Sequence, residues 1–580
     1  MKTIGSNIEA TKDARLIASG AISNGDKCVV NSDGTVSAIS ATGVSQVIGT
    51  PQQFSSNSID KPVVIYSTID NKIIVFYIDG SALKARVGII NATNHTISFP
   101  ASEATLLSNT VTDISACYDS GSNCGVVAFA DGGASNYGKV MRVHIKSDNT
   151  LSVGSDATFH SGTTEEIAIA YIRNKMMSIV AFSDGDDGDD GKAVAVRVNS
   201  ASNMLSVGSE IDFEGDGAKE IGICEVVPAD YGQLFYPSVD DAVMGKLGAA
   251  HHTFMITYRN SAASPYATKA RQGYLDHQRN SDALTFPDND VSIENTNSNQ
   301  SAVAYDPINQ MCLIACVQSS NGYLSFAYVE PEQDGSGDFT HDNNYRVIDI
   351  EADHGSTAYP QIVWDETSTT TGESKFIVAY RNQANSNKGE LRHITGTVTT
   401  GLDTSENGIV TIGNAIEFSG TDVATITNRQ NAICRDTAND KFVIVYKDGT
   451  NGGGDAVVYQ PAKSNLLTKH ENVGANLLAR GRLSSNFIGI ATTQAADGDG
   501  VIIRTQGKVG NQSGLIEGRL YAMHLDGTLK EYIDTVGQQN AGLITHSGAR
   551  LFDQNGNVVA PEGVIVGKAI SSTEILVGEK

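Results

Sequence analysis

One apolar segment recurs along the middle of the chain and constrains the fold more than any other feature. Each copy is a short run rich in β-branched residues that ends in an aromatic residue, any residue, and then Asp or Asn. The copies are IIVFYID (Tyr77, Asp79), GVVAFAD (Phe129, Asp131), SIVAFSD (Phe182, Asp184), FMITYRN (Tyr258, Asn260), FIVAYRN (Tyr380, Asn382) and FVIVYKD (Tyr446, Asp448), with CLIACVQ (Cys316, Gln318) as a degenerate seventh. The first copies lie roughly fifty residues apart, a spacing that indicates a repeat architecture.

Short strands are predicted on both sides of each copy, because β-branched runs bounded by Gly, Asn and Asp favour strands over helices. The preceding runs are VVIYSTI (63–69), ISACYDS (114–120), IAIAYIR (167–173), AVAYDPI (302–308), QIVWDET (361–367) and AICRDTA (432–438). The following runs include KVMRVHI (139–145), KAVAVRV (192–198), YLSFAYV (323–329) and AVVYQ (456–460). Three strands are therefore predicted per repeat, one short of a four-stranded propeller blade.

A second motif supplies the fourth strand. VGSDATF (153–159), VGSEIDF (207–213) and IGNAIEF (412–418) each end a repeat, and IGTPQQF (48–54) precedes the first repeat. The seventh repeat ends without such a motif. The sequence therefore predicts an all-β fold with a seven-bladed β-propeller, closed by an N-terminal strand that completes the last blade and removes exposed sheet edges. A β-solenoid is the alternative, disfavoured because its coils of about 20–30 residues are shorter than this repeat.

The predicted propeller spans residues 44–470 and leaves 1–43 and 471–580 as flanks. Both flanks contain short strands and turns, such as the Asp-Gly-Thr turns at Asp33 and Asp526, which favour hairpins. We expect the two flanks to form one β-rich base domain.

The flanks also carry a resemblance to a known family. SGAISNGDKCVVNSDGTVSAI near the start, and NFIGIATTQAADGDG, VIIRTQGKV, GLIEGRLYAM, DGTLKEY and VIVGKAISSTEILV near the end, resemble a module of fibre and adhesin proteins of tailed bacteriophages, notably phages of marine bacteria. The resemblance covers about 140 residues and does not extend to the propeller. It implies a structural virion protein, assembled as a homo-oligomer such as a trimer, whose ends form a common β module. It implies no catalytic residues.

Composition narrows the classes of partner. The formal net charge is −25, which disfavours nucleic acid and anionic membrane surfaces. Charged residues make up 18% and Gly 58 of 580 residues, which argues against coiled coils and helical bundles. We expect no signal peptide and no membrane insertion, because no long apolar run is present. Seven cysteines are too sparse for a disulfide framework, and Cys312 and Cys316 are expected to fill core space.

Enzyme signatures are not found in the sequence. Trp364 is the one tryptophan, so the chain has neither the Asp boxes of sialidases nor the repeated Trp-Asp of WD40 proteins. HExxH, P-loop and G-x-S-x-G patterns are absent as well. We therefore predict no enzymatic activity, no catalytic residues, no cofactor and no metal.

Four features were weighed as binding sites. The acidic loop from Asp184 to Gly191 is interpreted as a solvated hairpin turn, with calcium as the alternative. His251 and His252 should point to opposite faces of a strand rather than share a metal. The basic residues of the third strands are either solvated counter-charges or a belt for an acidic polysaccharide or neighbouring subunit: Lys139, Arg142, Lys192, Arg197, Lys269, Arg271 and Arg392. The loop tyrosines of the fourth repeat could stack on sugars or pack on their own scaffold: Tyr231, Tyr236, Tyr258, Tyr266 and Tyr274.

These observations favour a phage virion protein, made in the host cytoplasm, that acts as a tail fibre or receptor-binding fibre. Its expected partners are other virion proteins and a host cell-surface glycan or protein. A capsid (head) fibre or decoration protein is the alternative within the same class. A propeller enzyme that degrades polysaccharide, or a lectin, is a further alternative from a different class.

Overall fold

The structure is a computed structural model of the chain, and it is all-β. It describes residues 12–31, 34–39, 45–199, 204–215, 217–226, 252–262, 264–275, 282–286, 290–293, 297–307, 311–319, 322–329, 331, 346–349, 357–365, 373–397, 410–424, 431–462, 487–515, 517, 520–523, 529–531 and 565–577. Helix in these residues amounts to two single 3-10 turns, Gly132–Ala134 and Arg173–Lys175.

The chain divides into two compact units. One unit comprises Met1–Val47, Glu366–Gly372 and Pro461–Lys580, and the other Ile48–Asp365 and Glu373–Gln460. The first five strands are β1 (Lys12–Ile17), β2 (Lys27–Val30), β3 (Val36–Ala38), β4 (Val47–Ile48) and β5 (Gln52–Ser55).

The larger unit contains seven antiparallel sheets in the described residues. Sheet 1 has β6 (Ile59–Ser67), β7 (Lys72–Asp79), β8 (Ala82–Asn91), β9 (Thr96–Ser98) and β10 (Ala104–Leu107). Sheet 2 has β11 (Val111–Asp119), β12 (Cys124–Asp131), β13 (Tyr137–Ile145), β14 (Leu151–Val153) and β15 (Ala157–His160). Sheet 3 has β16 (Thr164–Ile172), β17 (Met177–Asp184), β18 (Asp190–Asn199), β19 (Met204–Val207) and β20 (Ile211–Glu214). Sheet 4 has β21 (Ala218–Val226), β22 (His252–Asn260), β23 (Thr268–Leu275), β24 (Leu284–Thr285) and β25 (Val291–Ser292).

The remaining sheets continue in chain order. Sheet 5 has β26 (Ser298–Asp306), β27 (Met311–Gln318), β28 (Leu324–Val329) and β29 (Arg346–Asp349). Sheet 6 has β30 (Thr357–Trp364), β31 (Glu373–Asn382), β32 (Lys388–Thr397), β33 (Val410–Ile412) and β34 (Ile416–Asp422). Sheet 7 has β35 (Asn431–Asp436), β36 (Lys441–Lys447) and β37 (Gly454–Gln460), joined by β4 and β5.

Each of these sheets follows the same plan. The first, second and third strands pair in order, and in most sheets the outer edge is a strand split into two short pieces that both pair with the third strand. The first strands contact one another in the order β6, β11, β16, β21, β26, β30, β35, and β35 contacts β6. Successive four-stranded antiparallel sheets that contact through their first strands are the layout of a β-propeller.

Apolar side chains fill the junctions between consecutive sheets. Seven buried clusters each draw on two successive sheets, including one that joins sheet 7 to sheet 1. The second strands supply most of this core, since every residue of β12, β17 and β27 is buried. A strand buried on both faces needs a continuous apolar run, which explains why the recurring apolar segment is the clearest feature of the sequence.

The Val/Ile-Gly-x4-Phe motif spans the split in the outer strand. In sheet 2, Val153 ends β14, the Gly154 N–H donates to Arg142 O (2.9 Å), and Phe159 lies in β15. The phenylalanine fits because the third strand has glycine beside it: a Cβ on Gly138 would lie 2.4 Å from the Phe159 ring. The motif therefore encodes a break in the outer strand followed by a packed aromatic residue.

The same aromatic residue bridges to the next sheet. Phe159 of sheet 2 lies 5.2 Å, between ring centroids, from Phe182 of sheet 3. The other motif phenylalanines make equivalent contacts, Phe54 with Tyr77 at 5.2 Å, Phe213 with Tyr258 at 5.3 Å and Phe418 with Tyr446 at 5.5 Å. The two sequence motifs are thus two halves of one contact between sheets.

Strands from both ends of the chain form the sheet of the smaller unit, here called the terminal sheet. Its later strands are β38 (Phe487–Ala491), β39 (Gly500–Val509), β40 (Leu520–Met523), β41 (Leu529–Glu531), β42 (Ile565–Ala569) and β43 (Ile575–Val577). The strand order is β3-β2-β38-β39-β43-β42-β40-β41, with β1 on β39. Arg504 of β39 binds Asp13 of β1 at 2.8 Å and 3.2 Å. The hairpins predicted around Asp33 and Asp526 are confirmed by the pairing of β2 with β3 and of β40 with β41.

In five of the six predicted first strands the predicted start is three or four residues too late, and β35 begins at Asn431, one residue before the predicted start. β6 begins at Ile59 rather than at residue 63, β16 at Thr164 rather than 167, and β30 at Thr357 rather than 361. The added residues do not form a continuous apolar run and include an extra residue relative to the partner strand, which conceals them from a search for apolar runs.

Candidate functional site

The first strands of the seven sheets share an unusual feature close to where they begin. In six of them, one extra residue forms a β-bulge against the second strand. Five of the bulges hold a non-glycine residue in the left-handed region, namely Lys61, Glu166, Glu220, Gln300 and Tyr359, with φ between 47° and 57°. Such a conformation costs an L-residue ~1–2 kcal/mol. Strain of this kind that recurs at one place is a reason to look for function there.

These bulges surround a small cleft, here called the mouth. Five first strands line it, and its main polar groups are Asp113, Glu166, Glu220, Gln300 and Gln361. The space open to water is ≈ 40 Å³, enough for ~3 water molecules. The mouth can therefore accept water or the tip of a side chain, and it is too small to enclose a sugar ring.

The side chains of the bulges join each sheet to the next. The Lys61 ammonium of sheet 1 donates to Thr112 O (2.7 Å) and pairs with Asp113 (2.9 Å), both in sheet 2. The other oxygen of Asp113 accepts the N–H of Ile167 in sheet 3 at 2.8 Å. Lys219 of sheet 4 pairs with Glu165 of sheet 3 at 2.8 Å.

The pattern continues through sheets 4, 5 and 6. Glu220 accepts the Gln300 N–H and the Arg259 Nε–H (3.1 Å), and the Gln300 side-chain oxygen accepts the Tyr359 N–H at 2.7 Å. Burial raises the pKa of the Tyr359 hydroxyl and lowers the pKa of the Arg381 guanidinium. Asp113, Glu220 and Gln300 therefore accept main-chain N–H groups of the next sheet, which holds neighbouring sheets in register at the mouth.

The turns between second and third strands lie at the same end of the sheets as the mouth. Each first strand begins at the mouth, and its first residues pair with the last residues of the second strand, just before the turn. Val111 pairs with Asp131 and Thr164 with Asp184. The exposed aromatic residues Tyr137 and Tyr266 lie beside these turns, 37% and 43% exposed. This end of the larger unit, here called the mouth end, therefore combines a polar cleft with exposed aromatic side chains.

The acidic loop is a hairpin turn between β17 and β18, as predicted. Its first carboxylate, Asp184, is buried and lies 2.6 Å from the Lys192 ammonium. Burial acts to raise the pKa of Asp184, but the hydrogen bonds from Lys192 and from the Asp186 N–H outweigh it and hold the pKa below its usual value. In the described part of the chain no group of three or more His, Cys, Asp or Glu is arranged to hold a metal ion.

The lysines of the third strands are largely buried and are paired with carboxylates. Lys139 lies 2.8 Å from Asp131 and 3.0 Å from Asp156. Lys84, Lys192 and Lys269 each have a carboxylate within 2.6 Å. Arg392 donates to the Tyr380 hydroxyl and to Gly413 O, both at 2.8 Å. These contacts favour the counter-charge interpretation over a belt for an acidic polysaccharide.

The tyrosines of the fourth repeat divide into two groups. Tyr258 is fully buried and Tyr274 is 3% exposed, so both pack on the scaffold and the stacking role considered for them is wrong. Tyr266 remains an exposed candidate, whereas Tyr231, Tyr236 and His251 lie outside the described residues, as does the side chain of His252. Cys312 and Cys316 are buried in β27, and none of the seven cysteines forms a disulfide.

Sequence reasoning missed the bulge residues of the mouth. They precede the apolar runs and lie outside the predicted strands, as in Thr164-Glu-Glu166-Ile and Ala218-Lys-Glu220-Ile. One pattern could have revealed them. A long polar or aromatic side chain recurs at the third residue of the first strand.

Comparison with known proteins gives fold-level similarity alone. No protein-family model matches the chain, and no curated protein matches it. Among solved structures, the Dos1 propeller is similar to this chain, with 11% sequence identity, a TM-score of 0.37, and coverage of 72% of this chain and 95% of that one. No helix in the described residues is long and apolar enough to cross a membrane. The propeller assignment rests on the sheet layout itself.

Proposed function

We propose that the seven sheets are the blades of one closed β-propeller and that β4 and β5 complete its last blade. The pairing of β5 with β37 supports this, with Gln52 opposite Ala456 and Gln53 opposite Asp455. The Gly49 N–H also donates to Val458 O at 2.8 Å. Closure by an early strand of the chain removes the free edge that the third strand of sheet 7 would otherwise present.

The terminal sheet is proposed to be the base by which the chain is held. One observation carries this proposal: strands from both ends of the chain share that sheet. A partner that binds the terminal sheet would hold the chain at both ends, and the propeller is the segment between them.

The function proposed for such an arrangement is that of a structural virion protein, a tail fibre or receptor-binding fibre of a bacteriophage, with the propeller as its ligand-binding part. The resemblance of both flanks to phage fibre modules supports the virion role. Homo-oligomeric assembly, other virion proteins as partners and a host-surface receptor belong to the same proposal. A capsid fibre is the alternative position on the particle.

The charges of the mouth end suggest the chemistry of the receptor. The lysines of the third strands are already paired with carboxylates, and the turn of sheet 3 adds Asp186, Asp187 and Asp189. Lys219 neutralises Asp189 at 2.7 Å, which leaves Asp186 and Asp187 as excess negative charge that would repel an anionic polysaccharide. We therefore propose a neutral glycan or a cationic protein surface, contacted through exposed aromatic residues such as Tyr266.

Localisation on the particle tests the virion role. Antibodies against the propeller, detected with gold in electron micrographs of phage particles from the source, should label the tail. Labelling of the head would replace the tail fibre with a capsid fibre. Absence of label from every particle would contradict the virion role and favour the lectin or enzyme alternatives.

Binding of the purified full-length chain tests the receptor role. We expect Tyr266→Ala to weaken binding to host cells, whereas Met176→Ala, a matched exposed residue (57% exposed) in the turn between β16 and β17 at the opposite end of sheet 3, should leave it unchanged. Preference for acidic over neutral polysaccharide would contradict the proposed chemistry. Shortening of the polysaccharide during incubation would favour the enzyme instead.

A further inference from the structure

The histidine that ends β15 occupies a special position between sheets 2 and 3. His160 directly follows the motif phenylalanine Phe159, and Ser55, Glu214 and Ser419 occupy the matching positions in the other copies. The side chain is buried, with 9% of its surface exposed. Its ring packs against Phe182, with 5.0 Å between ring centroids.

Both ring nitrogens face carboxylates of sheet 3. His160 Nδ1 lies 3.1 Å from Glu210 Oε2, and Nε2 lies 3.2 Å from Asp184 Oδ1. A neutral imidazole has one N–H and would direct the lone pair of its second nitrogen at a carboxylate oxygen. Nδ1 makes a hydrogen bond with Glu210, whereas Nε2 has no aligned hydrogen bond and meets Asp184 as a charge contact. Only the imidazolium interacts favourably with both carboxylates.

The other charged groups around His160 leave a net negative environment. The Lys192 ammonium lies 2.6 Å from the second oxygen of Asp184. The Asp186 carboxylate accepts the Thr163 N–H and hydroxyl, and both it and His160 Nε2 lie within 3 Å of where a Cβ on Gly162 would be. Three carboxylates therefore face one lysine and the histidine.

We propose that His160 is a proton-dependent clasp that joins sheet 2 to sheet 3, bridging Glu210 and Asp184 while it is charged. When it loses its proton, one of the two contacts is lost and the junction weakens. The matching contact between sheets 3 and 4 uses Glu214, which accepts from the Tyr258 hydroxyl at 2.7 Å and does not depend on a histidine. Unlike the junction between sheets 3 and 4, the junction between sheets 2 and 3 therefore depends on a side chain that titrates near neutrality.

The direction of the pH dependence follows from the charged groups around His160. Burial acts to lower the pKa of His160, but the hydrogen bond and charge of Glu210, together with Asp184, outweigh it and raise the pKa above the usual value. A group whose pKa is raised on folding stabilises the folded state below its unfolded pKa, and this stabilisation is lost as the pH rises through the folded pKa. The clasp is therefore closed in mildly acidic medium and opens as the medium becomes alkaline.

A titration of the histidine side chains measures the clasp directly. With 13Cε1-labelled histidine in the full-length chain, NMR spectra between pH 5 and pH 9 give the midpoint of each of the 12 histidines, and the His160→Gln variant assigns His160. We expect its midpoint above the ordinary value of about 6.5, and Glu210→Gln should lower it by roughly one pH unit. A midpoint at or below 6.5, or one that Glu210→Gln leaves unchanged, would overturn the proposal.

Thermal unfolding gives an independent readout. The wild-type chain should exceed His160→Gln in Tm at pH 6, and the difference should shrink by pH 9. His144→Gln, in strand β13 of sheet 2, is the matched control, and its effect on Tm should change less between the two pH values than that of His160→Gln. A difference for His160→Gln that is equally constant would show that the residue only packs. If His160→Gln does not fold, the one histidine midpoint that responds to Glu210→Gln still decides the matter.

Discussion

At the scale of single residues, the sheets differ in the third-strand side chain that lies opposite the aromatic residue of the second strand. Lysine occupies this third-strand position in the first four sheets and pairs with nearby carboxylates, as Lys84, Lys139, Lys192 and Lys269 show. Sheet 7 instead has Asp455, opposite Tyr446. Burial, and then the charge of Asp448, raise the pKa of Asp455 to about 6. Sheet 7 therefore carries an unfavourable carboxylate pair at neutral pH.

Replacement of this residue should stabilise the protein in a pH-dependent way. The folded chain holds the Asp455 proton more tightly than the unfolded chain does, so this group lowers the unfolding free energy as the pH rises from about 4 to 6. We expect Asp455→Asn to raise the unfolding free energy at pH 8 by no more than ~3 kcal/mol, because solvent screens a partly buried group. Little change is expected at pH 4.

Urea unfolding of the wild-type chain and the Asp455→Asn variant at pH 4 and pH 8 measures this pH-dependent stabilisation. Asp187→Asn is the control, because the Asp187 side chain is 70% exposed in a turn of sheet 3, and it should change stability little at either pH. An effect of Asp455→Asn that is equal at the two pH values would refute the carboxylate repulsion.

At the scale of strands, the split outer strand explains why the apolar second-strand motif and the Val/Ile-Gly-x4-Phe motif occur together. Gly454 of β37 leaves room for Phe54, since a Cβ there would lie 2.2 Å from the ring, and Phe54 then packs on Tyr77 of sheet 1. The same pair of contacts is made by Phe159, with Gly138 and Phe182. The two phenylalanines are equivalent in structure although β5 is far in sequence from the strand it joins.

Because the two phenylalanines make equivalent contacts, we expect truncation of either ring to lower the unfolding free energy by the same amount. Phe54→Ala and Phe159→Ala should each lower the unfolding free energy by ~3–5 kcal/mol, the usual cost of removing a buried phenylalanine ring. Urea unfolding of both variants at the same pH measures the two costs. A cost near zero for Phe54→Ala, next to a full cost for Phe159→Ala, would mean that β5 does not belong to sheet 7.

The strands that sequence predicts well are those with continuous apolar runs. All-β character, the second strands and the outer phenylalanines follow from burial on both faces, as at Phe129 and Phe182. The bulge residues Glu166 and Glu220 could not be recognised in this way, because their role depends on backbone conformation and on partners in the next sheet. The mouth is a property of several first strands together, and a single polar residue in the sequence does not reveal it.

At the scale of the whole molecule, sheet 7 combines early and late strands of the chain, and the terminal sheet combines strands of both flanks. The apolar cluster between sheets 7 and 1 contains Phe54 and Tyr77 together with Val443 and Val458, which joins the earliest and latest parts of the larger unit. Closure of this kind makes the stability of the larger unit depend on residues near the N-terminus. The proposed closure of the propeller also leaves no free sheet edge at its last blade.

A disulfide across the closing strands tests this central claim most directly. Gln52 and Ala456 lie opposite each other in the β5–β37 pair, within the Cα separation that a disulfide bridges. In the Gln52→Cys/Ala456→Cys variant, mild oxidation of the native protein should join the two peptides within one chain, as detected by mass spectrometry. The control Gln52→Cys/Ala193→Cys, with its second cysteine on the third strand of sheet 3, should form no such link. Absence of the first link, or equal yields for the two variants, would contradict closure of the propeller by its N-terminal strand.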